Sequence, residues 1–240
     1  MNPALRRSAA HVFVESLDAP VLSADDLHHL ARVLRLRDRE VVSVSDGAGE
    51  WRSCRFAAGG ELVVDGEIMA DPAPAPPITV GFAIPKGDRP EWIVQKLTEI
   101  GVDTIVVLHA ERSIVRWEAG KAARHIDRLG KVTREAAMQS RRTRLPQLIG
   151  PVSVSDLLAG GSGGVGQARV VSPVALAEPD GDLLELTRPT VLIGPEGGWT
   201  DAEREAVGVT VGLGDTILRV ETAAIVVAAR LTDQRERARP

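Results

Sequence analysis

The chain has 240 residues, 44% of them hydrophobic, with a single cysteine and a net charge of −4. That length can bury one large core or two modest ones, and the composition excludes an intramolecular disulfide and a thiolate metal cluster. No apolar run reaches the roughly 18 residues of a membrane span, and Met1-Asn2-Pro3-Ala4-Leu5-Arg6-Arg7 lacks the apolar core of a signal peptide, so a cytoplasmic protein is expected.

The first 72 residues read as short alternating runs, Val12-Phe13-Val14, Val41-Val42-Ser43-Val44 and Glu61-Leu62-Val63-Val64, with Asp46-Gly47 as a turn signal. One helix interrupts them, beginning near Ser23 and placing Leu27, Leu30 and Leu34 on one face. A small β-barrel with one helix is the expected architecture. Cys54 reads as a small buried strand residue. His28 and His29 do not suggest a metal site, because adjacent helical side chains diverge by about 100 degrees. No cysteine or third histidine lies near them, and no metal is expected.

Residues 71–77, Asp-Pro-Ala-Pro-Ala-Pro-Pro, form a stiff extended linker in which helix is sterically disfavoured. The sequence therefore divides into 1–72, a linker at 73–77, and 78–240. Beyond the linker, strand and helix alternate. Residues 78–84 and 104–108 read as strands. Asp88 reads as the cap of a helix with Trp92, Leu97 and Ile100 inward, and a long helix from about 118 to 139 buries Ala122, Ile126, Leu129 and Val132. That order predicts a mostly parallel sheet covered on both faces. The glycine-rich run 160–164 lacks the lysine of a nucleotide loop and reads as a surface connection.

Charge is unevenly placed. Residues 110–147 carry 10 basic and 4 acidic side chains, +6 within an otherwise acidic chain. Such a local excess is either a solvated helix face or the footprint of a phosphate backbone. Arg141, Arg142 and Arg144 lie beyond the helix end, where i,i+4 pairing does not account for them.

Two glycine-bearing segments near the end are the most informative. Gly194-Pro195-Glu196-Gly197-Gly198-Trp199 follows the apolar run 190–193 and precedes Thr200-Asp201-Ala202-Glu203, a capping box. Leu213-Gly214-Asp215-Thr216-Ile217-Leu218-Arg219-Val220-Glu221-Thr222-Ala223 follows a run at 209–211. Loops at the carboxyl ends of strands are where open α/β sheets bind ligands. Neither loop has a phosphate-cradle pattern. Glu196 beside exposed backbone suits a ligand carrying positive charge or many donors, although a tight turn would also use these residues.

Both segments resemble the terminal motifs of the RsmE family of ribosomal RNA uridine-N3 methyltransferases, within the SPOUT superfamily. The resemblance extends through His28-His29-Leu30-Ala31-Arg32-Val33-Leu34-Arg35, Lys86-Gly87-Asp88, Gln95-Lys96-Leu97-Thr98-Glu99-Ile100-Gly101-Val102 and Arg134-Glu135-Ala136-Ala137-Met138-Gln139-Ser140. It implies a PUA-like RNA-binding domain over 1–72 and, over 78–240, an α/β SPOUT methyltransferase domain with a trefoil-knotted parallel sheet. The run Ala168-Arg169-Val170-Val171-Ser172 resembles the first strand of that knotted region. Trp199, Val220 and Arg141 depart from the residues common in the family, as does Arg37-Asp38-Arg39 after the first helix.

What the resemblance implies for function is S-adenosylmethionine-dependent methylation of N3 of a uridine in 16S rRNA of the small ribosomal subunit, by a homodimer. Ser172, Leu192, Gly194, Pro195, Glu196, Gly197, Gly198, Leu213, Gly214, Ile217 and Leu218 would bind the cofactor, largely through backbone. Arg142 and Arg219 match arginines kept at the active site, and Glu221 joins them as a catalytic candidate. Arg142 and Arg219 would meet phosphate or the uracil oxygens, where cationic charge stabilises the developing N3 anion, unless Arg219 instead pairs with Glu221. The proton acceptor is left open among Glu196, Glu221 and water. His29, Arg32, Arg35, Arg112, Arg141 and Arg144 are the expected RNA contacts. Ribose 2′-O-methylation and a non-catalytic RNA-binding assembly role are the alternatives.

Overall fold

The computed structural model describes residues 2–160 and 173–239. The chain forms two compact units, Met1–Ala73 with Arg134–Leu145 and Pro74–Thr133 with Pro146–Pro240. The glycine run beyond Gly160 and the expected strand at 168–172 lie outside the described residues.

In the first unit, β1 (Ala10–Phe13) pairs in parallel with β2 (Val41–Ser45), and β3 (Glu50–Phe56) runs antiparallel to β2, β4 (Leu62–Val64) and β5 (Met69–Ala70). Strand alternation puts Val42 and Val44 into an apolar core with Val12, Leu30, Cys54 and Phe56. Ser43 and Ser45, on the opposite face of β2, are buried too, but against polar partners: Ser43 meets His11 and Ser45 donates to the Thr143 carbonyl. Burial pushes the Cys54 thiol up to about 11, which leaves it protonated and inert. At Asp46-Gly47 the carboxylate accepts from the Ala48 and Glu50 N–H groups and Gly47 adopts φ +78, as the turn signal predicts.

Two helical features differ from the sequence expectation. A short helix α1 (Pro3–Arg7), capped by the Asn2 side chain, precedes the sheet. The helix at Ser23, α2 (Ala24–His28), begins with the expected serine cap but continues as a π-helical turn over His29–Val33. A π turn carries more residues per turn than an α-helix, so the leucine register slips. Leu30 is buried, whereas Leu34 is 45% exposed and Leu36 packs in its place.

Buried His11 has a consequence for pH. Desolvation lowers its pKa to about 4, and the nearby Arg141 and Arg134 charges act in the same direction, while a histidine in an unfolded chain titrates near about 6.5. Acidification through that window protonates the unfolded chain first. The protein is therefore expected to keep its full stability above pH ~6.5 and to lose on the order of 3 kcal/mol as pH falls towards 4. Urea denaturation at stepped pH checks this, and His11→Gln should flatten that part of the profile.

The second unit is a six-stranded parallel sheet in the order β11-β9-β10-β6-β7-β8. Its strands are β6 (Thr79–Ala83), β7 (Thr104–Leu108), β8 (Gln147–Val152), β9 (Val174–Leu183), β10 (Thr190–Ile193) and β11 (Thr210–Gly212). Helices α3 (Arg89–Ile100) and α7 (Val220–Arg237) belong to one apolar layer with Phe82, Ile105 and Val191. Leu108, Leu176, Leu192 and Trp199 form another, with Val154 and Leu157 of α5 (Val154–Leu158) and with Val207 of α6 (Asp201–Val207). The intervening α4 (Ala119–Gln139) gives its last residues to the first unit.

Helix α3 starts at Arg89 with Pro90 in its first turn, and its N-cap residue Asp88 makes no side-chain cap hydrogen bond. Its buried face is Pro90, Ile93, Val94, Leu97 and Thr98, which follows the i, i+3, i+4, i+7 rule. Trp92 falls outside that stripe and is 45% exposed, so its expected inward placement does not hold. Near the carboxyl end of the sheet, β9 and β11 approach closely at glycines. A Cβ on Gly181 would collide with the Val211 backbone, and one on Gly212 would lie 2.8 Å from the Gly181 oxygen.

Candidate functional site

Strand β10 is buried at all four positions and ends at Ile193, leaving Gly194 to start the first loop. The loop closes as a turn, with the Gly198 N–H donating to the Pro195 oxygen at 2.9 Å. The left-handed residue here is Gly198, at φ +69, not Gly197. Gly194 is required for a different reason: a Cβ there would lie 2.9 Å from the Trp199 ring. Trp199 is fully buried and donates its Nε1 to the Ala177 oxygen at 3.2 Å. Indole packing thereby sets the exit of the loop into α6. The expected capping box is complete, since Thr200 Oγ1 accepts from Glu203 N and the Glu203 carboxylate accepts from Thr200 N.

Arg112, from the segment after β7, and Glu203 of α6 brace this loop. Arg112 donates through Nη1 to the Gly197 oxygen at 3.3 Å and the Trp199 oxygen at 3.1 Å. The other oxygen of Glu203, a buried carboxylate, accepts from the Glu111 N–H at 3.0 Å. Arg112, an expected RNA contact, is exposed and directs Nη1 to these loop carbonyls. The role of Glu203 beyond capping has no sequence signal, because its second partner is 92 residues away.

Because β10 and β11 are parallel to β9 between them, their following loops leave the same end of the sheet, about 10 Å apart by ordinary strand spacing. In the second loop Leu213 and Leu218 are partly buried against the core, Gly214 adopts φ +133, and Ile217 is 91% exposed. Among the described residues no acceptor meets the N–H groups of Glu196, Gly197, Ile217 and Leu218. Leu192, expected at the cofactor, is instead core: fully buried, it fills the space over Gly81, where a Cβ would come 2.5 Å from its Cδ2. Ser172 lies outside the described residues.

Arg219 precedes α7 as its N-cap residue and is exposed. It makes no ion pair with Glu221. That carboxylate meets Arg89 at 3.4 Å through one oxygen, and its other oxygen is buried without a hydrogen-bond partner.

The remaining residues of interest belong to the first unit. His29, Arg32 and Arg35 are exposed on the π turn and just beyond it. Arg141 and Arg144 are engaged by the chain itself: Arg141 donates to the Met138, Ser8 and Ala9 oxygens, and Arg144 to those of Ala48 and Asp71. Burial lowers the pKa of Arg141. Both therefore serve first as fasteners of the 141–145 segment, a role that charge counting does not distinguish from phosphate binding. Arg142 is partly exposed in the same segment. Among the described residues no three His, Cys, Asp or Glu side chains group as a metal site, and no helix is long and apolar enough to cross a membrane.

A parallel sheet with two adjacent backbone-lined loops at one end, preceded by a small β unit, defines an RNA methyltransferase domain joined to a PUA domain. The family model for the RNA methyltransferase domain matches residues 72–232, and that for the RNA methyltransferase PUA domain matches 22–64. More narrowly, the chain belongs to the ribosomal RNA small subunit methyltransferase E family. It is 31% identical to the Mycobacterium bovis member, over 86% of this chain and 83% of the relative. To the Bacillus subtilis member it is 29% identical, covering 91% and 92% respectively. The fold is shared with the crystal structure of the Neisseria gonorrhoeae enzyme bound to S-adenosyl methionine, at a TM-score of 0.72 and 24% identity over 93% of this chain and 97% of that one.

Proposed function

We propose that this protein methylates N3 of a uridine in 16S ribosomal RNA of the small subunit, using S-adenosylmethionine. The observation that carries this is the pair of loops at the ends of β10 and β11 in a chain of this family. The residues fit the cofactor. Backbone N–H groups of Glu196, Gly197, Ile217 and Leu218 are available to its polar atoms, Ile217 offers an uncovered apolar side chain, and the Glu196 carboxylate is exposed where a cationic ligand gains from it. Bound there, the cofactor supplies an electrophilic methyl group.

The chain's own residues then have two tasks. The uracil ring must be held with N3 in line and its developing negative charge must be stabilised, which suits the guanidinium groups of Arg142 and Arg219. The N3 proton must also leave. Arginine stays protonated and makes a poor acceptor, which leaves Glu196, Glu221 and water as the acceptors to be tested. RNA docking is assigned to the first unit through His29, Arg32 and Arg35, and cofactor binding to the second.

The trefoil knot and the homodimer belong to the same reading. The knot follows from the family likeness, and β9 and β11 approach at Gly181 and Gly212 more closely than a side chain would allow. Helix α7 leaves Ile225 and Val226 half-buried and Ala229 exposed, a face suited to a two-fold copy. Sedimentation across a wide concentration range should give twice the monomer mass. A fully active monomer at nanomolar concentration would overturn the dimer. We place the protein in the cytoplasm with its substrate. The function itself is tested on small subunits from a strain lacking this protein, which should accept one methyl group per particle, whereas subunits from the parent strain should accept none.

A further inference from the structure

Arg141 leaves helix α4 in a left-handed backbone conformation, φ +59, which is unfavourable for a non-glycine residue and persists only where the surroundings over-determine it. They do so here. Its guanidinium is held by the Met138, Ser8 and Ala9 carbonyls at 3.0, 3.1 and 3.2 Å. The next residue is Arg142, whose N–H closes on the Ala137 oxygen at 2.9 Å and whose carbonyl meets His11 Nε2 at 3.0 Å. A carbonyl can only accept, so Nε2 carries the imidazole proton and Nδ1 accepts from Ser43 Oγ at 2.8 Å. Ser43 in turn meets Ser8 Oγ at 3.0 Å. Directly after Arg142, the Thr143 carbonyl accepts from Ser45 Oγ at 2.8 Å and Gly49 N at 3.1 Å.

A buried Ser8–Ser43–His11 chain is an unusual use of core space. Apolar residues would pack there at less risk, and a satisfied polar network instead selects one geometry for the groups that it touches. What it touches is the peptide of Arg142. We propose that His11 is a positioning residue for the reaction: it locks the Arg142 peptide, with the bend at Arg141, so that the guanidinium meets the target uridine in one orientation. The role rests on the reading of Arg142 as the arginine that stabilises the reacting base. Desolvation keeps the imidazole neutral through the working pH range, so the clamp does not titrate away.

The test is single-turnover methylation of small subunits lacking the modification, at saturating S-adenosylmethionine, with the cofactor dissociation constant measured in parallel. His11→Ala should slow methyl transfer on the order of 10- to 100-fold, the loss expected when a reacting group is misplaced by about 1 Å, while leaving the cofactor constant unchanged. His11→Gln, which can still donate to the carbonyl and accept from Ser43, should recover most of the rate. In an Arg142→Ala background His11→Ala should add less than about twofold, because coupled residues are non-additive. Ser43→Ala, a milder change, should show the same coupling and carries the test if alanine at 11 unfolds the protein. Undiminished loss in the Arg142→Ala background, or full activity of both His11→Ala and Ser43→Ala, would overturn the role. If Arg142→Ala alone proves fully active, the assignment of Arg142 fails and this proposal with it. A slow Arg142→Ala beside a fast His11→Ala sinks only the clamp.

Discussion

Gly197→Val should raise the dissociation constant for S-adenosylmethionine by up to about 100-fold. A Cβ at 197 would lie 3.3 Å from Arg112 Cβ and 3.4 Å from the Arg112 oxygen, before either γ-methyl is placed. Relief requires the loop to move off Arg112, the side chain that holds its Gly197 and Trp199 carbonyls. Overpacking of that kind costs about 1–3 kcal/mol, and the upper part of the range is a factor of about 100 in affinity. The backbone at Gly197 is not left-handed, so the effect comes from space and not from φ. Calorimetric titration reads it directly, and an unchanged affinity would remove this loop from the cofactor site.

Arg142→Ala should lower turnover on small subunits by on the order of 10²- to 10³-fold, the usual loss when a charge-stabilising donor is removed. Cofactor affinity should hold, since the proposed partners of Arg142 are RNA groups met at the transition state. Arg142→Lys should recover only part of the rate, because an ammonium lacks the planar two-pronged fork of guanidinium. Loss of cofactor binding in the alanine variant with RNA affinity intact would reverse the assignment.

Much of the second unit was legible because its signals are local. The runs expected at 78–84, 104–108 and 190–193 hold β6, β7 and β10, and the Thr200–Glu203 capping box marks the start of α6. Strands β8 and β9 escaped notice for physical reasons. Gln147–Val152 contains Gly and Pro, Val174–Leu183 contains Gly, Pro and three acidic residues, and both are only partly buried, so neither shows the continuous apolar run of a central parallel strand. In the first unit, β3 (Glu50–Phe56) interleaves Arg52 and Arg55 with its core residues, and the π turn at His29–Val33 has no pattern to announce it.

The candidate site was legible as two loops but not as a set of roles. Arginines at 112, 141 and 144 carry the same charge in a sequence whether they face phosphate or a carbonyl. Only the fold shows that these three fasten the chain. A pair between Arg219 and Glu221 was one of two readings of that loop, and Glu221 pairs with Arg89 instead. Membership of 134–145 in the first unit is a tertiary fact with no composition signal, yet it puts the proposed catalytic arginine beside His11.

Identification of the methylated position tests the central claim most directly. Small subunits from a strain lacking this protein, treated with it and S-adenosylmethionine, are digested to nucleosides and resolved by mass spectrometry against standards. We predict a single new nucleoside, 3-methyluridine, absent when Gly197→Val replaces the native protein. A methyl group on ribose, or no incorporation beside intact cofactor binding, would contradict the account.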